Sequence, residues 1–377
     1  MQTDKTVFVI HFQALERYPP GINFVNFLGE KVDGRVVVCS LKNPSFYNLP
    51  EFNSAGSKLE VYRPGFLQHI GWKRWLNYFW FYFQTLLLLF RFKPSSVVYF
   101  ETLSSWPALI YKKVRRNKVK LLVHYHEYVS PLQYASNMKL AKVMHKMEQG
   151  MYPHSYSWIS HTNEVRMAMF RKDNSLENTS DSLFHTMPNY PPQSWKKTSN
   201  RKCARSGITR LVFIGSLGYK NMYLKETVEF ALKNHNKFTL DLYAYNIDSV
   251  ALNYLNSLNS DNIKFFGGKS YDELPEVLSS YDVGLVMYKP FSENTVNAVS
   301  NKVFEYLACG LDVWFSRDMT YSMKYVDESC RPKVIAIDFN NLDTFDFEAA
   351  LNKEGLRERR DEYFAEEVFN EILQLLS

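Results

Sequence analysis

The sequence predicts two successive α/β domains, each a parallel sheet covered on both faces by helices. Three observations carry that prediction. The chain has 377 residues, more than one ordinary hydrophobic core fills. Short apolar runs without helical period alternate with stretches of helical period, the βα rhythm of a parallel sheet. That rhythm breaks once, over residues 173–207, and then restarts.

Bulk composition narrows the class. A hydrophobic content of 46% excludes a disordered chain. The net charge of +6 suits an anionic ligand or an acidic membrane and establishes neither. The cysteines Cys39, Cys203, Cys309 and Cys330 form no CxxC and no metal-ligand spacing, so free thiols in a reducing compartment are expected. Residues 1–5 are polar and the first apolar run, 7–12, is too short for a signal peptide, so a cytoplasmic protein is expected.

The elements of the first domain follow in order. Residues 7–12 read as a strand, and Ile22, Val25, Leu28 and Val32 mark a helix near helical spacing. A strand at 36–40 precedes an aromatic helix at 76–90, LNYFWFYFQTLLLLF, which Pro94 stops. Strands at 97–100, 121–124 and 158–161 alternate with helices at 106–114, 135–150 and 162–171. The aromatic helix is flanked by Lys73, Arg74, Arg91 and Lys93 and is shorter than the roughly 20 residues a spanning helix needs. Its sequence fits a core helix, an oligomer contact, or a helix lying in a membrane interface.

Residues 173–207 are rich in Ser, Asn, Thr and Lys and carry PNYPP at 188–192, a turn signal. We place the first domain at 1–190, a linker at 191–207, the second domain at 208–355 and a returning helix at 356–377. The basic run 195–205 reads as solvated linker.

The second domain opens with a strand at 211–214 that ends at Gly215. A helix at 223–233 and strands at 238–243 and 263–266 follow. Ser270 and Glu273 form a capping box for a helix over 270–281, with Leu274, Val277, Leu278 and Tyr281 on one face. A strand at 282–288 leads into a polar loop, 289–299, and Ser300 can cap a helix from Asn301 that Gly310 ends. Residues 311–315 and 334–337 complete the strands.

A helix start beyond the carboxyl end of a parallel strand is where α/β proteins hold phosphates and riboses. Lys302 and Glu305 sit at that start without a packing reason. Taken alone, Glu305 also reads as a charge complementing the helix dipole, and Lys302 as a surface residue at an unfavourable positive end. Gly215 to Gly218 form GxxG, a weak phosphate-loop signal. His124, His126 and Glu127 follow a strand end, but this HxH lacks a third ligand, and neither HExxH nor Asp-x-Asp occurs.

The two βα halves, the segment MPNYPP, the loop FIGSLG and the helix NKVFEYLACG resemble GT-B glycosyltransferases of the large retaining family known as group 1 or family 4. The resemblance is most specific over 211–315 and looser in the first half, where HYHEY and ISHTNEVR match best. It implies two Rossmann-like domains facing across a cleft, with the C-terminal helix crossing back to the first. It implies a hexosyltransferase that moves a sugar from a nucleotide-diphosphate sugar, with retention, to a saccharide or lipid-linked saccharide in surface polysaccharide or glycan assembly.

Residue by residue, the resemblance gives Glu305 the ribose hydroxyls and sets Gly215, Gly218, Ser300, Asn301 and Lys302 around the diphosphate. It gives Lys220, or else Lys225, the leaving diphosphate. The family's second Glu, eight positions before Glu305, is Asn297 here, which leaves a neutral amide to meet the sugar; Glu293 is the nearest loop carboxylate. His126 matches the family's sugar- or acceptor-bonding His, and His161 reads as structural. No cofactor or metal is implied, since Lys side chains and a helix dipole stabilise the leaving group. Expected partners are the donor, the acceptor and an anionic membrane met through 73–93 with Lys112, Lys113, Arg115 and Arg116, at the inner face of the cell membrane; no nucleic acid is expected. Two alternatives stay open: a nucleotide-sugar epimerase, and a catalytically silent GT-B protein that binds a membrane or a partner transferase.

Overall fold

The computed structural model describes residues 5–42, 58–65, 71–136, 138–198 and 207–376. The chain divides into two compact units, one running to Asn189 and taking up the C-terminal stretch from Ala365, the other spanning Tyr190–Phe364.

The first unit begins with β1 (Thr6–His11), α1 (Pro19–Lys31), β2 (Arg35–Ser40) and β3 (Lys58–Tyr62). It continues through α2 (Trp72–Phe92), β4 (Ser96–Phe100), α3 (Ser105–Arg115) and β5 (Lys120–Tyr125). Three short helices, α4 (Pro131–Ser136), α5 (Lys139–Gln149) and α6 (Tyr152–Ser155), lead to β6 (Trp158–His161), α7 (Glu164–Asp173) and β7 (Phe184–Thr186). The strands form one seven-stranded sheet in the order β3-β2-β1-β4-β5-β6-β7, parallel throughout. The central strands are buried on both faces, which their unbroken apolar runs require. From β1 the chain first builds outward to β2 and β3, then crosses to β4 on the other side. The connections leaving β1 and β4 therefore diverge and open a crevice at their carboxyl ends.

The second unit contains α8 (Ser194–Thr198), β8 (Thr209–Ile214), α9 (Leu224–Lys233), β9 (Phe238–Tyr243), α10 (Ser249–Asn256) and β10 (Ile263–Phe265). Then come α11 (Leu274–Leu278), β11 (Val283–Val286), α12 (Glu293–Val296), α13 (Asn301–Ala308) and β12 (Asp312–Ser316). The strands β13 (Cys330–Arg331) and β14 (Val334–Ile337), the helix α14 (Phe347–Leu351) and the strand β15 (Arg357–Glu358) follow. Its six-stranded sheet runs β10-β9-β8-β11-β12-β14, again parallel. The reversal here lies between β8 and β11. The last helix, α15 (Ala365–Leu376), packs in the first unit, where Phe369 meets the rings of Phe24 and Phe27 at 5.2 and 5.4 Å.

Several sequence expectations need correction. The stretch read as a linker is structured on both sides of the unit boundary. β7 closes the first sheet, while in the second unit Trp195 of α8 is buried and packs on Tyr271 at 4.8 Å. Residues 199–206 of that stretch, Cys203 among them, lie outside the described residues. The second unit runs on past 355 to Phe364 because β15 pairs with β13. β3 was not expected: its half-exposed face mixes charged with apolar residues. The helix expected over 135–150 is two helices, α4 and α5. The Ser270–Glu273 capping box forms, but it opens a 3-10 turn before α11, and the loop after β11 contains the single turn α12.

The aromatic helix α2 is neither wholly buried nor wholly free. Phe81, Tyr82, Thr85, Leu88 and Leu89 form its buried face. The opposite face exposes Trp72, Trp75, Leu76, Phe79, Trp80 and Phe83, with Trp72 at 69% and Phe79 at 67% exposure. Among the described residues, no helix is long and apolar enough to cross a membrane. Cys39, Cys309 and Cys330 are free and buried.

Candidate functional sites at the strand ends

In the second unit, the site forms where β8 and β11 diverge. Gly284 of β11 has no side chain, and the ring of Tyr306 occupies that space: a Cβ there would lie 2.2 Å from the ring. The buried Tyr306 hydroxyl accepts from the Ile214 N–H at 3.1 Å and donates to the Leu285 carbonyl at 3.4 Å. This fixes α13 against both strands and places its first turn beyond the carboxyl end of β8. Ser300 stands at the N-cap with extended backbone, yet its side chain makes no cap bond. The first N–H groups of α13 therefore have no side-chain cap from their own N-cap residue.

Gly215 ends β8 at φ +147°, and a Cβ on it would lie 2.5 Å from Cε and 2.9 Å from Nζ of Lys302. The glycine thus lets the Lys302 ammonium cross directly above the strand end. That ammonium lies 6.0 and 5.9 Å from the ring centroids of Phe213 and Tyr288. Burial pulls the Lys302 pKa down, but the Tyr288 hydroxyl and the Glu305 carboxylate outweigh it and hold the group above its ordinary value. Glu305 is only 9% exposed. Burial raises its pKa, against the opposing pull of Lys302. Its carboxylate has no hydrogen-bond partner among the described residues, although a buried carboxylate ordinarily has one.

Asn297 follows α12, whose Ser292 cap accepts from the Thr295 N–H. The loop that carries Asn297 is pinned by Ser322 and Thr320, which donate to the carbonyls of Ala298 and Val296 at 2.9 and 3.3 Å. Asn301 is half-buried in the first turn of α13, and Glu293 is exposed. Gly218 leaves room for the Asn221 amide, which a Cβ would meet at 2.0 Å. Two residues stand apart from this arrangement. Lys220 is exposed and acts electrostatically on Asp248, and Lys225 pairs with Glu229 on the surface of α9 at 3.6 Å.

In the first unit, four histidines collect at the strand ends: His11 on β1, His124 and His126 at the end of β5, and His161 on β6. All are nearly inaccessible. His11 Nε2, His124 Nε2, His161 Nδ1 and both ring nitrogens of His126 have no hydrogen-bond partner among the described residues. The His126 ring stacks on Phe100 at 5.2 Å and on Tyr18 at 5.6 Å. Burial, then the neighbouring His124 and His11, push its pKa well below the ordinary value, with Asn189 working the other way. Burial lowers His11 to about 4. His126 is thus a neutral imidazole, able to accept or donate one hydrogen bond but not to carry charge. The Arg166 guanidinium donates to the His126 carbonyl at 2.6 Å and fixes the turn. No set of three or more His, Cys, Asp or Glu is placed to hold a metal among the described residues.

Three features of these sites left no mark that the sequence reading used: the Gly284–Tyr306 lock, the Tyr288 neighbour of Lys302, and Glu101 beside His126. For Tyr288 and Glu101 the available signal was their position just beyond a strand's carboxyl end, where residues face the crevice.

No protein-family model and no curated protein matches the sequence. Solved structures match it over nearly the whole chain. HepE of Anabaena, crystallised in complex with UDP and glucose, aligns with a TM-score of 0.66 at 11% identity, covering 98% of this chain and 99% of HepE. The lipopolysaccharide outer core galactosyltransferase WaaB aligns with a TM-score of 0.56 at 11% identity, over 98% and 99% of the two chains. A UDP-N-acetylglucosamine 2-epimerase aligns with a TM-score of 0.60 at 11% identity, over 99% and 96%. At such identities the shared property is the fold: the chain has the GT-B architecture of two parallel-sheet Rossmann-like units.

Proposed function

We propose that the protein is a glycosyltransferase that moves a sugar from a nucleotide-diphosphate sugar to a saccharide or lipid-linked saccharide acceptor. The observation that carries this reading is Glu305, a nearly buried carboxylate without a hydrogen-bond partner among the described residues, beside Lys302 at the start of α13. A ribose supplies the two vicinal hydroxyl donors such a carboxylate lacks. The diphosphate then meets Lys302 and the uncapped N–H groups of α13. HepE was crystallised with UDP and glucose, which favours a uridine diphosphate sugar as the first donor to test.

The chemistry asks for little covalent participation by the protein. The bond between the anomeric carbon and the diphosphate oxygen breaks, and the acceptor oxygen bonds to that carbon. For retention, a leaving phosphate oxygen takes the acceptor proton on the same face. Lys302 and the helix N-terminus stabilise the charge that develops on the diphosphate. Lys220, exposed on the loop after β8, adds a second cation if the loop closes on the ligand. Asn297 meets sugar hydroxyls as a neutral donor and acceptor, and His126 of the first unit binds sugar or acceptor oxygens as a neutral imidazole. The exposed face of α2, with its cationic flanks, suits an acceptor presented at an anionic membrane.

A nucleotide-sugar epimerase is the second reading, favoured by the epimerase among the structural neighbours. It predicts conversion of the nucleotide-sugar with no acceptor present. A thermal-shift screen against nucleotides and nucleotide-sugars tests the main reading, with a Tm rise expected for one base. Glu305→Ala is expected to weaken that nucleotide by about 1–3 kcal/mol, the worth of charge-assisted hydrogen bonds. Unchanged affinity by calorimetry would remove Glu305 from the site and the reading with it.

A further inference from the structure

Glu101 follows β4 at the reversal point of the first sheet, and its backbone is an outlier. Its φ is 61° and its ψ 153°, a region that is essentially glycine-only and costs on the order of 1–3 kcal/mol for other residues. The surrounding chain holds it there. Its N–H donates to the His124 carbonyl at 3.1 Å, and its own carbonyl accepts from Ser104 at 2.9 Å. The side chain is held as well: Oε1 accepts from the N–H of His126 at 2.6 Å and of Glu127 at 3.2 Å. Oε2 has no hydrogen-bond partner among the described residues, and the residue keeps some accessible surface. Backbone strain of this kind persists where it positions a group for use. What it positions here is one carboxyl oxygen, at the turn after β5 that carries His126.

We propose that Glu101 is a substrate-binding residue of the first unit, with Oε1 locked to the turn after β5 and Oε2 serving a hydroxyl of the saccharide bound beside His126. The inference rests on the glycosyl-transfer reading for its class of ligand. Burial and the Glu127 carboxylate, with a smaller push from Glu148, raise the Glu101 carboxyl to about 8 against the two backbone N–H bonds. At neutral pH the group is therefore an acid whose proton sits on Oε2, since Oε1 is occupied as an acceptor. It gives a sugar oxygen a donor without burying a charge. The groups that act electrostatically with it are Glu127, Glu148, Arg166, Tyr18 and Tyr134. None of the three tyrosine and arginine groups among them changes charge between pH 6 and 9: Tyr18 is pushed further up and Arg166 stays a cation.

The test uses the full chain as wild type, Glu101→Gly and Glu101→Gln. Saturation-transfer NMR with free glucose, galactose, mannose and N-acetylglucosamine reads saccharide binding, with and without UDP. Gly relieves the backbone strain but removes the acceptor of the His126 and Glu127 N–H groups, so E101G is expected to shift Tm by only a few degrees while the saccharide signal falls about tenfold, the worth of one hydrogen bond to a buried partner. Gln keeps an acceptor and a neutral donor in place, so E101Q is expected to retain the signal at pH 7. Three results would each overturn the inference: an undiminished signal in E101G, a Tm lower by more than a few degrees in both variants, or no saccharide signal from the wild type. Glu305→Ala runs alongside: it weakens UDP binding if the nucleotide site is right and leaves the UDP-independent saccharide signal to report on Glu101.

Discussion

Glu305 and Glu101 are both carboxyls raised by burial, one on the helix beyond a parallel strand and one at a strand end. A ribose bonds best to an ionised Glu305, because its hydroxyls donate. Burial lifts the Glu305 pKa above the ordinary carboxyl value of 4.5, so protonation begins nearer to neutrality than it would for a surface Glu. Nucleotide affinity is therefore expected to weaken as pH falls from 7 toward 5, with protons released on binding at the acid end. Glu305→Gln should bind more weakly at pH 7 and show a flat profile. Calorimetry across that range, in buffers of different ionisation enthalpy, checks both; an equally steep wild-type and variant profile would assign the pH dependence elsewhere. Glu305 stood out in the sequence because it lies in NKVFEYLACG, at a helix start after a strand. Glu101 did not. A positive φ at a non-glycine residue is imposed by tertiary bonds, here those to His124, Ser104, His126 and Glu127, and leaves no local trace.

At the scale of elements, α2 raises the question of what its outer face meets. Its buried face satisfies the first-unit core, so the exposed aromatics are surplus to folding. Its sequence has no Asp or Glu, and Lys73, Arg74, Arg91 and Lys93 flank the apolar stretch. The adjoining α3 ends in Lys112, Lys113 and Arg115. Aromatic side chains between cations suit the headgroup layer of an anionic bilayer, each nearby cation adding about 1 kcal/mol. The protein is expected to float with liposomes containing anionic lipid at low salt and to release as salt rises. Replacing Trp75, Phe79 and Trp80 with Ser should abolish flotation while leaving Tm within a few degrees, because these residues contribute little to the core. A large fall in Tm would instead make this face part of the fold. The sequence identified α2 but could not choose between core and surface, since residues on both faces are apolar. The neighbouring misreadings have physical causes too. β3 hides because one face of an edge strand is polar, and β7 and α8 hide because short elements in Ser- and Asn-rich chain carry too few residues to show a period.

For the whole molecule, the parallel sheets followed from the βα rhythm, which is set by hydrophobic burial and needs few special residues, while the strand orders and their reversal points came from the structure. What the rhythm cannot give is the allegiance of the terminal helix. α15 is amphipathic and would suit either unit, and its partners decide the matter. Phe369, Ile372 and Leu376 are each 3% exposed or less, and Phe369 fills the space beside Phe24 and Phe27 of α1. Lys120 at the start of β5 also donates to the Leu375 carbonyl at 2.6 Å. At roughly 1.5–3 kcal/mol for each fully buried large apolar side chain, the three together contribute on the order of 5 kcal/mol to the first unit, comparable to the whole net stability of a domain. A chain ending at Phe364 should therefore show faster hydrogen exchange across α1, β1 and β5 and unchanged exchange in β8, β11 and α13. Nucleotide binding through Glu305 should survive in it, since every group assigned to that role lies within Tyr190–Phe364. Phe369→Ala should produce the same pattern more weakly, at a cost of about 3–5 kcal/mol for a large-to-small core change. If exchange instead rose equally in both sheets, the two units would share one cooperative transition, and the stability of the nucleotide site would depend on a helix that contributes no residue to it.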